Sequence, residues 1–216
     1  MRAERFAVEA QTLENPDAGI WKQITQQKIA LVPAPVGMQP SKYIIGKWKD
    51  GDFGKVSALG IQAIHNGREL AFRLEWDDEN PDEERKDNTH FPDAAALLFP
   101  LTENASVFMG GENDPTNIWF WRADRPDAAR NNVATGIGTS RVTEEGAIAT
   151  RAVHSDGRWR LVFRRTLVTA NADEQEAQFR VGEKINLAFA VWEGSNAERG
   201  GLKSFSPNWL EVTLAE

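Results

Sequence analysis

Residues 56–78, VSALGIQAIHNGRELAFRLEWDD, contain two apolar segments on either side of the pair Asn66-Gly67. From Leu70 to Trp76 every second residue is large and apolar, and the residues between them are small or charged. This period of two is typical of a strand with one face on a core and the other face toward water. Asn-Gly is the strongest short signal for a two-residue hairpin turn. The stretch therefore predicts two paired antiparallel strands.

The same pattern recurs twice farther along the chain. Residues 147–167, AIATRAVHSDGRWRLVFRRTL, contain an Asp-Gly turn at 156–157 followed by an alternating apolar run, and so predict a second hairpin. Residues 183–194, EKINLAFAVWEG, alternate again and predict a strand that ends at Trp192. Half-buried strands thus account for the clearest patterns in the sequence.

Helical periodicity is scarce. NADEQEAQF at 171–179 predicts one short helix capped by Asn171, and NPDAGIW at 15–21 predicts a turn. Many strands, frequent turns and few helices favour a mainly β fold, a single-domain antiparallel β-sandwich over residues 1–216 with a few short helices.

Composition excludes several classes of function. The chain has 216 residues, a net charge of −7 and no cysteine. Negative charge disfavours nucleic-acid binding, because a phosphate backbone would be repelled. The absence of cysteine excludes disulfides, thiolate zinc sites, iron–sulfur ligation and covalent attachment of heme through a Cys-x-x-Cys-His motif. Any heme would have to be held by fit and by axial ligands.

Targeting signals are absent from the sequence as it stands. No apolar run approaches the ~20 residues that span a bilayer. The segment MRAERFAVEAQTLENPDAG at 1–19 lacks an apolar stretch and a small-residue cleavage site. We therefore expect either a cytoplasmic location or export together with a partner that carries the signal.

Acidic residues and histidines were considered as catalytic or metal-binding groups. Residues 77–87 contain seven carboxylates, which could form a calcium site or a carboxylate pair for glycoside hydrolysis. The ligand spacing of an EF-hand is missing, so a solvated loop is the favoured interpretation. His65 and His154 directly precede turns and are expected at the surface, and neither these nor His90 has the spacing of a zinc hydrolase. The sequence contains no self-sufficient catalytic constellation.

The eight tryptophans of the chain offer an alternative function. Sugar-binding sandwiches stack sugars on aromatic rings, so a carbohydrate-binding module is a rival interpretation. Trp76 and Trp159, however, lie on apolar strand faces where they would fill a core. In NIWFW at 117–121 the two tryptophans face away from the isoleucine and phenylalanine, so one side of that strand needs a cover.

Two segments place a possible ligand beside glycines. Met109, one of only three methionines, is followed by a Gly-Gly pair, and Lys203 closely follows another such pair at 200–201. Glycines allow backbone to approach a large flat group closely. Met109 and Lys203 are far apart in sequence, so only folding could bring them together.

Several motifs, including the two that contain Met109 and Lys203, are spread along nearly the whole chain. They are DAGIW at 17–21, AIHNGRELAFRLEW at 63–76, DAAALLFP at 93–100, FMGG at 108–111 with NIWFW at 117–121, and FAVWEGSNAERGGLKSFS at 189–206. The set resembles the heme b-binding gamma subunit of ethylbenzene dehydrogenase. Relatives of that subunit serve a steroid side-chain dehydrogenase, dimethyl sulfide dehydrogenase, and selenate and chlorate reductases. The last motif is the longest and the most specific.

The resemblance implies one noncovalent heme b whose iron is held by a methionine and a lysine, which fall on Met109 and Lys203. A methionine thioether raises the reduction potential of heme iron. A lysine can ligate only as a neutral amine, which requires a desolvated site. Replacement of Lys184, at the start of a strand, or of Met38, in a proline-rich segment, should leave the heme spectrum unchanged.

The resemblance also implies partners. With both axial positions filled by protein, the chain would carry electrons and not be catalytic by itself. A molybdenum-cofactor alpha subunit would perform the oxidation, and an iron–sulfur beta subunit would relay electrons to this subunit. An external acceptor such as a cytochrome c would then receive them. Export on the signal of alpha would place the complex in the periplasm, and the similarity favours oxidation of a hydrocarbon or a sterol side chain.

Overall fold

The chain folds mainly into strands, as the alternating pattern predicts. The computed structural model describes residues 1–86, 90–169 and 176–216. Within these ranges the strands are β1 Arg2–Arg5, β2 Gln27–Ala30, β3 Val32–Pro33, β4 Ala58–His65, β5 Glu69–Asp77, β6 Ala94–Pro100, β7 Thr116–Arg122, β8 Arg125–Ala134, β9 Arg141–Ser155, β10 Arg158–Thr166, β11 Lys184–Trp192, β12 Ser204–Phe205 and β13 Leu210–Leu214. The helices there are α1 Ala10–Glu14, α2 Lys42–Trp48, and 3-10 helices at Gly19–Gln23, Val36–Met38 and Gly194–Asn196.

A turn and a short helix were predicted from the sequence outside the strands. The predicted turn over 15–21 is confirmed by a turn at 16–17 that leads into the 3-10 helix Gly19–Gln23. The predicted helix over 171–179 lies mostly outside the described residues, and its described part, 176–179, is not helical. No helix in the described part of the chain is long and apolar enough to cross a membrane.

Both predicted hairpins are confirmed. β4 pairs antiparallel with β5, and the side-chain oxygen of Asn66 accepts hydrogen bonds from the backbone N–H groups of Arg68 and Glu69, at 2.9 and 2.8 Å. β9 pairs antiparallel with β10 through a turn in which Asp156 and Gly157 have φ of 54° and 67°. Positive φ at both central residues is what a type I′ turn requires.

The sheet closes on itself. Its order is β13-β1-β4-β5-β10-β9-β8-β7-β6-β11, and β11 pairs again with β13, so ten strands form a ring. β1 is parallel to both of its neighbours, whereas the pairs that form the rest of the ring are antiparallel. The prediction of a mainly β, antiparallel, sandwich-like fold is confirmed. Closure through β1 was not predicted, because its sequence RAER has no apolar alternation.

The inner faces of the ring strands form an aromatic core. The ring centroids of Phe99 and Trp119 lie 4.8 Å apart, and those of Trp121 and Trp159 lie 5.3 Å apart. All four side chains are buried. Burying such a side chain stabilises a fold by about 1.5–3 kcal/mol. The inner face is therefore filled by protein, and a ligand can only bind elsewhere.

The outer faces of the strands are covered in two different ways. Over β4, β5 and β10, helix α1 and the Gly19–Gln23 helix place Leu13 and Trp21 against Ile64 and Val162. This contact is a closed hydrophobic cluster. Over β6, β7 and β11 the cover consists of loops, and it leaves a cavity.

The surface position predicted for His65 is wrong. Its side chain is fully buried, on the same face of β4 as Ile61 and Ala63, and neither ring nitrogen has a hydrogen-bond partner among the described residues. Burial lowers the pKa of this histidine. The local turn rule failed here because the N-terminal strand β1 covers the end of β4 through the pair Arg5 and His65.

Candidate functional site

The floor of the cavity is the outer face of three neighbouring strands. Ala96 of β6 lies between Ala190 of β11 and Phe120 of β7 in register, and Leu98 lies between Ala188 and Ile118 of the same strands. The three alanines leave space that larger residues would fill. Phe120 and Trp192 border this floor, with ring centroids 5.3 Å apart. The strand NIWFW therefore has its predicted cover on the side of Ile118 and Phe120.

Loops form the walls of the cavity, which has a volume of about 400 Å³. Pockets for small molecules and cofactors span roughly 300–1,000 Å³ and are mostly apolar with a few polar groups. The wall residues come from four segments, which are Ala34, Pro35, Met38, Gln39, Pro40 and Ile44; Val107, Phe108 and Met109; Ile137, Gly138 and Ser140; and Gly200, Gly201, Lys203, Phe205 and Ser206. This apolar lining contains one thioether and one amine that the sequence had singled out.

Met109 lies in a turn of the loop between β6 and β7. Its carbonyl oxygen accepts a hydrogen bond from the N–H of Gly136 at 2.8 Å, which ties it to the loop after β8. The N–H of Gly110 donates to the carbonyl oxygen of Ser106 at 2.8 Å. A Cβ at Gly110 would collide with the carbonyl oxygen of Asp114, so a glycine is required there.

The backbone of Met109 is held in an unfavourable conformation. Its φ is 70° and that of Gly110 is 77°. For a bulky residue such as methionine, the left-handed region costs about 1–3 kcal/mol, and such residues cluster at functional sites. Within the described residues, only Met109, Asp156 and Ala197 combine a side chain with positive φ. The Met109 side chain lines the cavity and packs against the buried cluster on the outer faces of the strands.

Lys203 also lines the cavity, from the loop that precedes β12. Its carbonyl oxygen accepts a hydrogen bond from the N–H of Ala34 at 2.9 Å, immediately before β12 pairs with β11 and β3. A Cβ at Gly201 would collide with the side chain of Gln39, whose amide donates to the Gly201 carbonyl oxygen at 3.2 Å. The Gly-Gly pair thus lets residues 34–44 fold against the loop that carries Lys203.

The Lys203 ammonium is electrostatically unfavourable in this position. Burial lowers its pKa to about 8. Its Nζ lies 4.9 Å from the centroid of the Trp192 ring, and no carboxylate of the described residues lies within ion-pair distance. The Lys203 side chain is partly exposed because it lines the cavity, while protein surrounds its amine. Burial thus shifts this amine toward its neutral form, which is the form that can bind a metal.

The loop between Trp192 and Lys203 is firmly anchored. The buried carboxylate of Glu198 accepts hydrogen bonds from the N–H groups of Gly54, Lys55 and Glu193, at 2.6, 3.0 and 3.1 Å. The indole N–H of Trp192 donates to the carbonyl oxygen of Gly200 at 3.0 Å. These contacts fix the position of a loop that contains little regular structure.

The structure brings Met109 and Lys203, the two residues that the resemblance implies as ligands, to the lining of one cavity. Met38, which the sequence did not connect with the site, also lines this cavity. The sequence missed the whole segment 34–44 as a wall. A usable signal for the floor existed in the alanines at alternate positions of DAAALLFP and LAFAVW, which lie on the face opposite to the large residues.

Within its described part, residues 77–86, the acidic segment is only partly a solvated loop. Asp77 is exposed and pairs with Arg158 at 2.7 Å. Asp78 instead turns inward, where it lies close to Asp93 and Glu193. His154 contacts the carbonyl oxygen of Asp78 at 2.8 Å through Nε2, and none of the histidines lines the cavity.

Comparison with curated proteins finds relatives along most of the chain. A protein of Haloferax mediterranei, provisionally named a respiratory nitrate reductase heme subunit, is 31% identical over 89% of this chain, and the match spans 66% of that protein. The gamma subunit of chlorate reductase from Ideonella dechloratans is 29% identical over 92% of this chain and 78% of its own length. The gamma subunit of dimethylsulfide dehydrogenase from Rhodovulum sulfidophilum is 29% identical over 92% of this chain and 74% of its length.

Solved structures of similar fold are sugar-binding proteins of remote sequence. A family 9 carbohydrate binding module from Caldicellulosiruptor kristjanssonii in complex with glucose has a TM-score of 0.53 and 10% identity, covering 99% of this chain and 95% of that chain. Its complex with cellotriose has a TM-score of 0.52, 10% identity, and covers 100% and 94% of the two chains. At this identity the likeness concerns the fold alone.

The family model described as ethylbenzene dehydrogenase matches residues 18–146 and 130–204. These matched ranges include the floor of the cavity, the Met109 turn and the Lys203 loop. The chain belongs to the ethylbenzene dehydrogenase family.

Proposed function

We propose that residues 1–216 form an electron-transfer subunit that binds one noncovalent heme b in this cavity, with Met109 and Lys203 as the axial ligands of the iron. The observation that carries the proposal is the meeting of these two side chains, distant in sequence, in one apolar cavity. The name of the Haloferax relative as a heme subunit supports the choice of cofactor.

The residues present fit such a group. The floor is flat because alanines occupy the central positions of β6 and β11, and the walls are apolar. The thioether of Met109 can bind heme iron directly, and the amine of Lys203 can bind it once the ammonium has lost a proton. The absence of cysteine is consistent with a group held only by fit and ligation.

Each residue has a distinct part in this function. Bound heme supplies one-electron redox chemistry. Burial lowers the pKa of the Lys203 amine to about 8, and the charge of a bound iron would lower it further, so the amine would bind in its neutral form. Met109 provides a thioether that favours the reduced state. The apolar walls exclude water, and two protein ligands leave no coordination position for a substrate, so the chain is not a catalyst by itself.

The relatives support a place in a larger complex. Two of them are named gamma subunits of chlorate reductase and dimethylsulfide dehydrogenase, and the third is named a heme subunit of a nitrate reductase. We infer a complex with a molybdenum-cofactor alpha subunit and an iron–sulfur beta subunit, which hands electrons to this chain for an external acceptor such as a cytochrome c. Export with alpha to the periplasm is part of this proposal.

The substrate in this proposal belongs to the alpha subunit. Oxidation of a hydrocarbon or a sterol side chain is the reaction that we propose, on the resemblance of the motifs in this chain. Purification of the complex and assay of electron transfer from an alkylbenzene or a sterol to cytochrome c tests this point. Activity with chlorate or nitrate alone would contradict it.

A carbohydrate-binding module is the alternative function. The solved structures of similar fold favour it, since their titles name glucose and cellotriose as ligands. Stacking on sugars requires exposed aromatic faces, and Trp76, Trp119, Trp121 and Trp159 are all buried in the core. The cavity offers a thioether and an amine instead, so the heme proposal is the better supported one.

The visible absorption spectrum of the purified full chain with its heme, followed by extraction with acid and acetone, tests the proposal. We expect a Soret band and complete transfer of the heme to the organic phase, because nothing tethers it. A heme that stays with the polypeptide, or a chain that binds cellotriose and no heme, would contradict the proposal.

A further inference from the structure

Three carboxylates from separate loops converge on the side of the sheet next to the loop that carries Lys203. Asp78 directly follows β5, Asp93 directly precedes β6, and Glu193 directly follows β11. One oxygen atom from each of the three lies within 4.8 Å of the other two. The three residues are 4%, 0% and 9% exposed, so this cluster is buried.

Asp93 is held in place by the backbone of two other loops. Its Oδ1 accepts a hydrogen bond from the N–H of Gly194 at 2.7 Å, and its Oδ2 accepts from the N–H of Asp82 at 2.7 Å. The indole N–H of Trp159 donates to Oδ2 at 3.1 Å. A Cβ at Gly194 would collide with the carbonyl oxygen of Phe91, so these loops pack closely. The position of Asp93 is therefore fixed by these hydrogen bonds, and it is not a chance arrangement of surface side chains.

Asp78 presents an oxygen that has no partner. Its Oδ1 accepts a hydrogen bond from the N–H of Asn80 at 3.0 Å. Its Oδ2 is buried and has no hydrogen-bond partner among the described residues. A buried carboxylate oxygen without a partner costs free energy that a hydrogen bond or a cation would recover. This orphaned oxygen is an observation separate from the clustering of charge.

The charges of the cluster are not balanced by the residues around it. Among the described residues, no lysine or arginine forms an ion pair with Asp78, Asp93 or Glu193. Burial and the neighbouring carboxylates raise the pKa of Asp93 to about 8, and burial raises that of Glu193. A cation among the three carboxylates would balance this charge and give the buried Oδ2 of Asp78 a partner.

We propose that Asp78, Asp93 and Glu193 bind a calcium ion that joins the three loops. Oxygen-only ligand sets select hard cations, and Ca²⁺ accepts six to eight oxygens in flexible geometry, whereas Mg²⁺ demands a near-ideal octahedron. All three ligands are carboxylates, so this site differs from the thioether and the amine in the cavity. Calcium binding here does not require bound heme. Its consequence is structural, since the ion would fix the start of the loop 193–203.

A calcium titration of the full chain after treatment with a chelator tests the proposal. At a free Ca²⁺ concentration of about 100 times the Kd, we expect Tm to rise by roughly 5–10 °C, from the gain expected for one site and the size of the chain. Mg²⁺ at the same concentration should produce a clearly smaller shift. Tb³⁺ added in place of Ca²⁺ should show luminescence sensitised by Trp159, whose indole contacts Asp93.

Matched variants separate the site from the general acidity of the loop. Asp78→Asn keeps the shape of the side chain, and it should weaken Ca²⁺ binding by about tenfold or more and remove most of the Tm shift. Asp77→Asn is the control, because the neighbouring Asp77 is exposed and pairs with Arg158. Its Ca²⁺ response should equal that of the parent chain. Glu193→Gln should weaken binding like Asp78→Asn.

Three outcomes would overturn the proposal. The first is the absence of any Ca²⁺-dependent shift in the parent chain. The second is an equal response to Mg²⁺, which would contradict the choice of calcium. The third is equal loss of response in Asp77→Asn and Asp78→Asn, which would show binding to the exposed acidic segment instead of the buried cluster.

Discussion

The two faces of strands β6, β7 and β11 differ in the size of their residues. On the inner face, Leu97, Phe99 and Trp119 are buried and pack against the aromatic core. On the outer face, Ala96 and Ala190 occupy central positions, and the loops above them do not reach the floor. The same backbone thus carries a filled surface and an open one.

This difference indicates that the two faces of each strand have different functions. Residues that alternate inward supply stability, because their apolar area is removed from water by the closed ring. Residues that alternate outward supply space and ligands, at a cost in packing and in backbone strain at Met109. Substitutions on the two faces should therefore have different effects, and those differences can be measured.

The largest effect is expected on the inner face. Trp119→Ala should lower the free energy of unfolding by about 3–5 kcal/mol, since it leaves a cavity in a close-packed core. Denaturation of the full chain in urea measures this change. Phe120→Ala, the next residue on the outer face, should cost clearly less because Phe120 is only partly buried. Equal losses for the two variants would contradict the division between the faces.

The outer face should instead respond in cofactor binding. Ala190→Phe places a large ring in the middle of the floor, and it should reduce the ratio of heme to protein by tenfold or more while the chain stays folded. The Soret absorbance per chain and the circular dichroism spectrum measure the two quantities. Arg151→Phe, at an exposed position of β9, is the control for an added aromatic residue. A heme-loaded Ala190→Phe protein would contradict the location of the heme.

The two methionines of the cavity offer a sharper comparison. Met109→Ala should lower the reduction potential of the heme, because the thioether that favours reduced iron is lost. Met38→Ala should leave the potential nearly unchanged, since Met38 lies in a wall without backbone strain. Spectroelectrochemical titration measures both potentials. If the potential dropped in Met38→Ala and not in Met109→Ala, Met38 would be the axial ligand.

The smallest effect concerns the one histidine of the inner face of β4. Burial lowers the pKa of His65, so between that pKa and the ordinary value of about 6.5 the unfolded chain binds more protons than the folded one. Stability should therefore fall as the pH drops below about 6.5. In His65→Leu, urea denaturation at pH 7 and pH 5 should show a smaller difference than in the parent chain. An unchanged difference would contradict the burial of a neutral histidine.

Turn residues and apolar alternation predicted the hairpins, because both depend only on neighbouring residues. The Asn66-Gly67 pair and the alternation that follows it specify a hairpin without reference to the rest of the chain, and the structure contains it. The meeting of Met109 and Lys203 was predicted through the resemblance of motifs, and not through any spacing between them. Signals confined to neighbouring residues predicted the long strands of the two hairpins and β11.

Features that arise from distant parts of the chain could not be predicted. His65 is buried because β1 pairs beside β4, and β1 has no pattern of its own. Met38 lines the cavity because residues 34–44 fold against Gly201. The cluster of Asp78, Asp93 and Glu193 forms because three strand ends meet at one place in the closed sheet. Each of these depends on topology.

The spin state of the heme iron in Lys203→Ala tests the central claim most directly. The parent chain should show a six-coordinate low-spin spectrum. Lys203→Ala should become high-spin and bind added imidazole or carbon monoxide, while Lys184→Ala, at the exposed start of β11, should keep the parent spectrum. A six-coordinate low-spin spectrum in Lys203→Ala, without binding of a new ligand, would contradict ligation by Met109 and Lys203.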